Sequence, residues 1–398
     1  MSSGVGITGM GVVSAIGLSV EENLMALSQS RCGISRIDNF DTRHRDNVLV
    51  GEIKLSNSDL EERIGLIKGH SVTRTGMLGI LAARQAVQQA GLDLYDTSIR
   101  TGLISSTSVG GMDVTEKYFY AYMKDVELQH YIRSHDAGVS TQHIADDLGL
   151  RGTVTTISTA CSSAANAIML GARLIKSGRL DRVIVGGTDA LSKFTLNGFN
   201  TLMILSDTYC KPFDQHRKGL NLGEAAAYLV LESEELIAKE EKTVLAHVVG
   251  YGNANDAFHQ TASSENGEGA FLAMQKAFTI SGIDHSQIDY VNVHGTATPN
   301  NDLSEGRALL RAFGLEVPIF SSTKSFTGHT LAAAAAIEAV YSVLAIREGI
   351  VFPNLNFETA MEEFDLIPQV DVLHKKIEYV LSNSFGFGGN CSTLIFGR

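Results

Sequence analysis

An α/β chain made of two similar halves, with alanine-rich helices held between sheets, is the fold this sequence predicts. Three observations predict it. Short β-rich runs alternate with helix-period segments along the 398 residues, a helix-to-strand pattern repeats weakly between the halves, and each half carries one small-residue helix at a similar place in its order of elements.

In chain order, "GVGITG" reads as a strand, "VEENLMALSQS" as a helix, "GMLGILAARQAVQQAG" as a long amphipathic helix and "TGLISS" as the next strand. The alternation continues through "GTVTTIS", the segment around Cys161 and "DRVIVGG". Residues 82–93, "AARQAVQQAGLD", lie against residues 273–284, "AMQKAFTISGID": each is a helix ending at a glycine suited to the C′ position, then an aspartate, then a strand, "TGLISS" or "YVNVHG". The alanine-rich helix after Cys161 has its counterpart in "HTLAAAAAIEAVYSVLAIREG". Helices with so many small residues and so few charges belong in an interior. The charged "LESEELIAKEEKT", residues 231–243, is the expected junction, dividing the chain into 1–242 with Cys161 and 243–398 with the later histidines and lysine. An ordinary surface helix within one domain is the alternative.

Composition narrows the class. A hydrophobic content of 44% with 19% charged residues describes an ordinary globular protein, and a net charge of -12 without any Lys/Arg-rich tract argues against nucleic acid as a partner. Cys32, Cys161, Cys210 and Cys391 are scattered with no CxxC pair, which argues against a zinc site or disulfide framework and fits a reducing cytoplasm. "MSSGVGITGMG" lacks the basic and apolar regions of a signal peptide. "LAAAAAIEAVYSVLAI" contains Glu338 and falls short of the roughly 20 residues that span a bilayer, so no membrane span is expected.

Cys161 stands where a β-branched run, residues 154–157, becomes an alanine-rich helix. At a helix start the dipole lowers a thiol's pKa, so Cys161 is either a nucleophile or a packed core thiol. Three later segments supply what a thiolate enzyme needs. "VNVHGTATPNNDLSEG" sets His294 after a strand, with Thr296, Thr298, Asp302 and Glu305 following; "SSTKSFTGHTLAAAA" carries Lys324 and His329; and "YVLSNSFGFGGNCSTLIF" makes two strands around a glycine-rich turn with Phe385 and Phe387. Loops after strands are where α/β enzymes gather their sites. His294 and His329 lack metal-ligand spacing, and no metal is expected.

Together these segments resemble the β-ketoacyl-[acyl carrier protein] synthases, condensing enzymes of the thiolase superfamily. The resemblance runs from "GITGMGVVSAIG" through "GGTDAL", "CKPFDQHRKGLNLGEAAAYLVLE" and "HGTATP" to "NSFGFGG". It implies a thiolase-like duplicated fold layered α-β-α-β-α. It further implies Cys161 as acyl-accepting nucleophile, His294 and His329 as the paired histidines, Lys324 as the supporting lysine, and Glu338, Glu305 and Asp302 as acidic support. Thr296 and Thr298 match pantetheine contacts. Phe387 matches a gate whose N–H joins that of Cys161 in an oxyanion hole, and Val109 and Phe385 match the acyl pocket. Lys68, Arg74 and Lys211 match basic residues that dock the acidic acyl carrier protein. No cofactor is implied beyond the phosphopantetheine that carries the substrates. The family works as homodimers or, in some members, as heterodimers with a chain-length-factor paralogue.

Four positions depart from the common elongating pattern: Asn166 replaces a histidine, Ala297 the middle glycine of "HGTGTP", and Asn390 and Cys391 replace threonine and asparagine. They point to a specialised synthase, of polyketide or aryl polyene type. A non-decarboxylating thiolase or transacylase is the enzymatic alternative, with Cys391 as a second thiol. A non-catalytic partner subunit is the other, and the retained Cys161, His294, Lys324 and His329 argue against it.

Overall fold

A computed structural model describes residues 5–398. Met1–Gly4, which open both the run inspected for a signal peptide and the first predicted strand, lie outside the described residues. Ten strands make one mixed sheet: β1 (Val5–Ser14), β2 (Thr101–Ser106), β3 (Thr153–Ile157), β4 (Arg182–Asp189), β5 (Ala225–Glu232), β6 (Ala246–Asn255), β7 (Tyr290–Asn292), β8 (Ile319–Ser321), β9 (Tyr379–Gly386) and β10 (Asn390–Gly397). Their order is β8-β7-β9-β10-β6-β1-β5-β4-β2-β3.

Counting β1–β5 and β6–β10 each from its own first strand gives the order 3-2-4-5-1 in both halves. The pairings match as well. β2 runs parallel to β3 and β4, as β7 does to β8 and β9. The remaining pairs within each half are antiparallel, and β1 meets β6 antiparallel at residues Val5 to Ile7.

Five helices position the site: α1 (Arg74–Gln89), α2 (Ser163–Lys176), α3 (Glu268–Ser281), α4 (Pro299–Phe313) and α5 (Ala334–Glu348). α1 packs on β1 and β5, and α3 equivalently on β6 and β10. α2 touches β4 and β10, α5 touches β5 and β9, and the two touch each other, so each bridges strands of both halves. That explains why α5 is buried at every residue from Ala334 to Ile346: it is enclosed by strands of both halves and by α2. Glycines permit the outer helices to sit close. A Cβ on Gly11 would lie 2.1 Å from the Ala82 carbonyl oxygen of α1, and one on Gly252 would lie 2.0 Å from that of Ala273 in α3.

The stretch 231–243 begins inside β5, and its helix covers only Glu234–Glu240. Glu232 is buried because it accepts from Arg182 Nε at 2.6 Å. Among the described residues no helix is long and apolar enough to cross a membrane.

Candidate active site

The nucleophile candidate sits on a strained turn. β3 ends at Ile157, Ala160 takes φ +52°, and α2 starts at Ser163. A non-glycine residue in that region costs about 1–2 kcal/mol, so the surroundings must hold it. Ser163 does so: its Oγ accepts from Thr159 N at 2.8 Å and donates to the Ala160 carbonyl at 2.5 Å. Cys161 is thereby buried at the base of a cavity, its sulfur facing its own backbone N–H and that of Phe387.

Burial pushes the Cys161 thiol up to about 12, against the pull of the Lys324 charge and the two N–H groups. The expectation of a lowered thiol pKa is therefore corrected. Cys161 lies just ahead of the first helical residue, but the thiolate loses more by leaving water than the helix end returns.

β7 and β8 are parallel neighbours, so the loops that follow them are adjacent. Those loops bring His294 and His329 together, ring centres 5.4 Å apart at 87°. Both imidazoles are held well below their usual range, by burial first and then by the charge of Lys324. His329 Nδ1 accepts the Leu331 N–H at 3.2 Å. In a neutral ring this places the proton on Nε2, which becomes a donor. Lys324 Nζ contacts Glu338 Oε1, and both groups are buried.

Glu305 does not share the task of holding Lys324. Its carboxylate accepts from the backbone N–H of His294 (2.9 Å) and Gly295 (2.8 Å) and from Asn383 Nδ2 (3.2 Å), so it shapes the His294 loop. Asp302 similarly accepts from Phe213 N at 2.8 Å and Ala297 N at 3.1 Å. Ala297, in place of the family's glycine, takes φ +65°, the conformation that glycine would adopt freely. The Thr296 and Thr298 hydroxyls lie 2.9 Å apart on the cavity wall.

The cavity, about 380 Å³, is lined by Cys161, His294, His329, Phe385 and Phe387, with Phe199 and Met203 among its apolar residues. Phe387 stacks on Phe199 with centroids 5.9 Å apart, and Phe385 lies 5.4 Å from the His294 ring. Cys391 also reaches this cavity, although it is a buried strand residue. Val109 does not line it. It packs in the apolar cluster of Leu196, Leu220 and Leu331, and its N–H goes to Asp189.

The basic residues divide. Arg74 is buried, donating to Glu224 through Nε at 2.9 Å and Nη2 at 2.6 Å, so it is a structural ion pair and not a docking residue. Lys68 is exposed and borders a different, polar cavity of about 820 Å³. Lys211 is half-buried and paired with Glu358 at 2.8 Å.

Two site residues escaped sequence reasoning. Asp189, at the end of β4, accepts from the backbone of Ser108, Val109 and Ala332, tying the β2 loop to the segment before α5; only its place in "GGTDAL" marks it. Arg217 donates to the Pro299 carbonyl at 2.8 Å, beside the cavity rim. Among the described residues no cluster of three or more His, Cys, Asp or Glu has metal-site geometry.

A duplicated α/β fold whose two halves deliver a cysteine and a histidine pair to one apolar cavity defines the class: a condensing acyltransferase of thiolase-like architecture. Residues 2–236 match the β-ketoacyl synthase N-terminal domain and residues 245–358 the C-terminal domain. A 3-oxoacyl-[acyl-carrier-protein] synthase 2 of Staphylococcus aureus is 35% identical over 408 residues, covering 98% of this chain and 97% of the relative. Among solved structures, the ishigamide ketosynthase/chain length factor superposes with a TM-score of 0.92 at 30% identity, covering 99% of both chains. A ketosynthase in complex with its chain length factor from Xenorhabdus doucetiae superposes with 0.86 at 30% identity, covering 99% of this chain and 98% of that one. The chain belongs to the β-ketoacyl synthase family.

Proposed function

We propose that this chain condenses an acyl group with a malonyl thioester, both delivered on the phosphopantetheine of an acyl carrier protein, to give a β-ketoacyl thioester two carbons longer. The observation that carries the reading is the pair of neutral histidines beside the buried Lys324, in the same cavity as Cys161.

In the first half-reaction the Cys161 sulfur attacks the acyl carbonyl. The carbonyl oxygen becomes an oxyanion opposite the N–H groups of Cys161 and Phe387, donors worth roughly a hundredfold or more each in rate. The carrier's thiolate leaves and takes up the proton that Cys161 gives up through a neutral imidazole. The high thiol pKa keeps Cys161 protonated until substrate arrives.

In the second half-reaction the malonyl C–C bond breaks, carbon dioxide departs, and the electron pair becomes an enolate at the thioester oxygen. His329 Nε2–H, with His294, donates to that oxygen. Burial, helped by the charge of Lys324, keeps both rings neutral, and Glu338 holds Lys324. The enolate carbon then attacks acyl-Cys161, the new C–C bond forms, and the cysteine sulfur leaves. Thr296 and Thr298 contact the pantetheine, Phe385 and Phe387 the acyl chain. No metal or organic cofactor takes part.

The chain divides into catalytic halves at 242/243, acts in the cytoplasm, and works as a dimer. Its partner is a second copy or a chain-length-factor-like paralogue, the second reading being favoured by the ketosynthase/chain length factor structures it superposes on. Carrier docking falls to Lys68 and Lys211. The departures at Asn166, Ala297, Asn390 and Cys391 favour a specialised pathway. A thiolase reading would need Cys391 as base, but Cys391 is a buried strand residue whose context, Cys391-Ser392-Thr393, lacks the thiolase Cys-x-Gly pattern.

Intact-mass analysis with acyl-loaded carrier proteins tests the reading. Acyl mass is expected on the wild type and absent from Cys161→Ala, with release of a product two carbons longer on adding malonyl carrier protein. Release of an unextended acyl group would favour a transacylase.

A further inference from the structure

Two of the positions that depart from the family pattern touch each other. Asn166, on α2 five residues after Cys161, donates from Nδ2 to Asn390 Oδ1 at 2.9 Å. The same oxygen accepts from Ser162 Oγ at 2.7 Å and from Asn253 Nδ2 of β6 at 2.9 Å. Asn253 also donates to Asn166 Oδ1 at 2.9 Å, and the second Asn166 amide hydrogen goes to Thr159 Oγ1 at 2.8 Å. Three donors from the nucleophile turn, its helix and a strand of the other half thus converge on one amide oxygen.

Its position gives the cluster consequence. Asn390 opens β10 directly after the turn Phe387-Gly388-Gly389, and Gly388 and Gly389 both have positive φ. Ser162 and Thr159 flank Cys161. On its outer side the turn is held by backbone bonds, Gly388 N to the Gln260 carbonyl and Asp256 N to the Gly389 carbonyl, both 2.8 Å. On the side facing α2, the side-chain tie is Asn390. Networks of this kind couple their members: losing Asn390 Oδ1 leaves its donors unpaired, and losing Asn166 takes a partner from both Asn390 and Asn253.

We propose that Asn166, Asn253 and Asn390 form an amide latch that fixes the Phe387 turn over Cys161, with Asn390 as its positioning residue. The catalytic meaning of the latch rests on Cys161 being the acyl acceptor. Its physical effect does not: a loosened turn withdraws the Phe387 N–H and ring from the sulfur and opens the thiol to small reagents.

The test uses the full chain with iodoacetamide, reading alkylation of Cys161 by peptide mass, in wild type, Asn166→Ala, Asn390→Ala and the double variant. Each single change is expected to speed alkylation roughly fivefold to tenfold, as for loss of one or two coupled hydrogen bonds. The double variant should go no further than either single. With acyl carrier protein as substrate, the singles should lower the rate of acylation at saturation while leaving the half-saturating carrier concentration unchanged. A purely structural role would lower the unfolding midpoint without this split. Wild-type alkylation rates in both single variants, or single effects that multiply in the double, would overturn the latch. If the wild type accepts no acyl group, the functional reading fails while the alkylation series still decides the latch. Asn253→Ala provides the same comparison if Asn390→Ala does not fold.

Discussion

Lys324 and Glu338 are a buried pair whose partners come from different elements, the turn after β8 and the body of α5. Coulomb attraction holds them, and the remaining field of Lys324 falls on His294 and His329. Replacing Lys324 by methionine removes that field and leaves burial as the cause of the depressed histidine pKa values. Both must then rise, so the acid limb of the condensation rate should move to higher pH. Measuring the rate against pH for both forms checks this, and an unmoved limb would show that burial alone keeps the rings neutral. At this scale Cys161, His294, Lys324 and His329 were legible as candidates that the fold brings together, because reactive side chains at strand ends stand out in sequence. The direction of the Cys161 pKa was not, since it depends on how completely the surroundings exclude water.

The His294 loop shows how an element is held. Glu305 reaches back from α4 to two successive backbone N–H groups, and its burial outweighs those donors, pushing its carboxyl up to about 7. An unfolded glutamate titrates near 4.3–4.5. Between those values the folded state keeps a proton that the unfolded state has released, so stability falls as pH rises from about 4.5 to 7 and levels off above. Glu305→Gln has no such proton and should lack that slope, whose full size is about 3 kcal/mol for a shift of this magnitude. Urea unfolding of both forms at pH 5 and pH 8 measures it. Helices and strands were legible here from periodicity and from the glycine–aspartate ends of α1 and α3. Arg74 was misread because a basic residue near a helix start looks the same in sequence whether it faces solvent or a buried Glu224. Val109 was misplaced because it packs into an apolar cluster with Leu196 and Leu331 next to the cavity, and linear order does not show which side of such a cluster a residue takes.

At the scale of the molecule the two ends of the sheet differ. β8 is covered by its own chain, with Gln369 N donating to the Phe320 carbonyl, whereas among the described residues β3 pairs only with β2 and none of its five residues is fully buried. An open, uncharged strand edge invites a second chain. Sedimentation should therefore give twice the 42.7 kDa chain mass for the protein alone, or one chain mass that doubles with a paralogue present. Adjacent residues of a strand turn their N–H groups to opposite sides, so one of Thr155→Pro and Thr156→Pro, the one whose N–H faces away from β2, should abolish association while leaving the β2 ladder intact. Persistence of the dimer in both variants would place the interface elsewhere.

By itself the sequence determined the family and the duplication, and it singled out the four candidate residues that the fold gathers, because these depend on residue types in order along the chain. The equal 3-2-4-5-1 order of the halves, the burial of Arg74, the tautomer of His329 and the convergence on Asn390 Oδ1 were decided only in three dimensions. Each depends on which groups distant in sequence exclude water from one another or come within hydrogen-bonding distance, and linear order does not specify those distances.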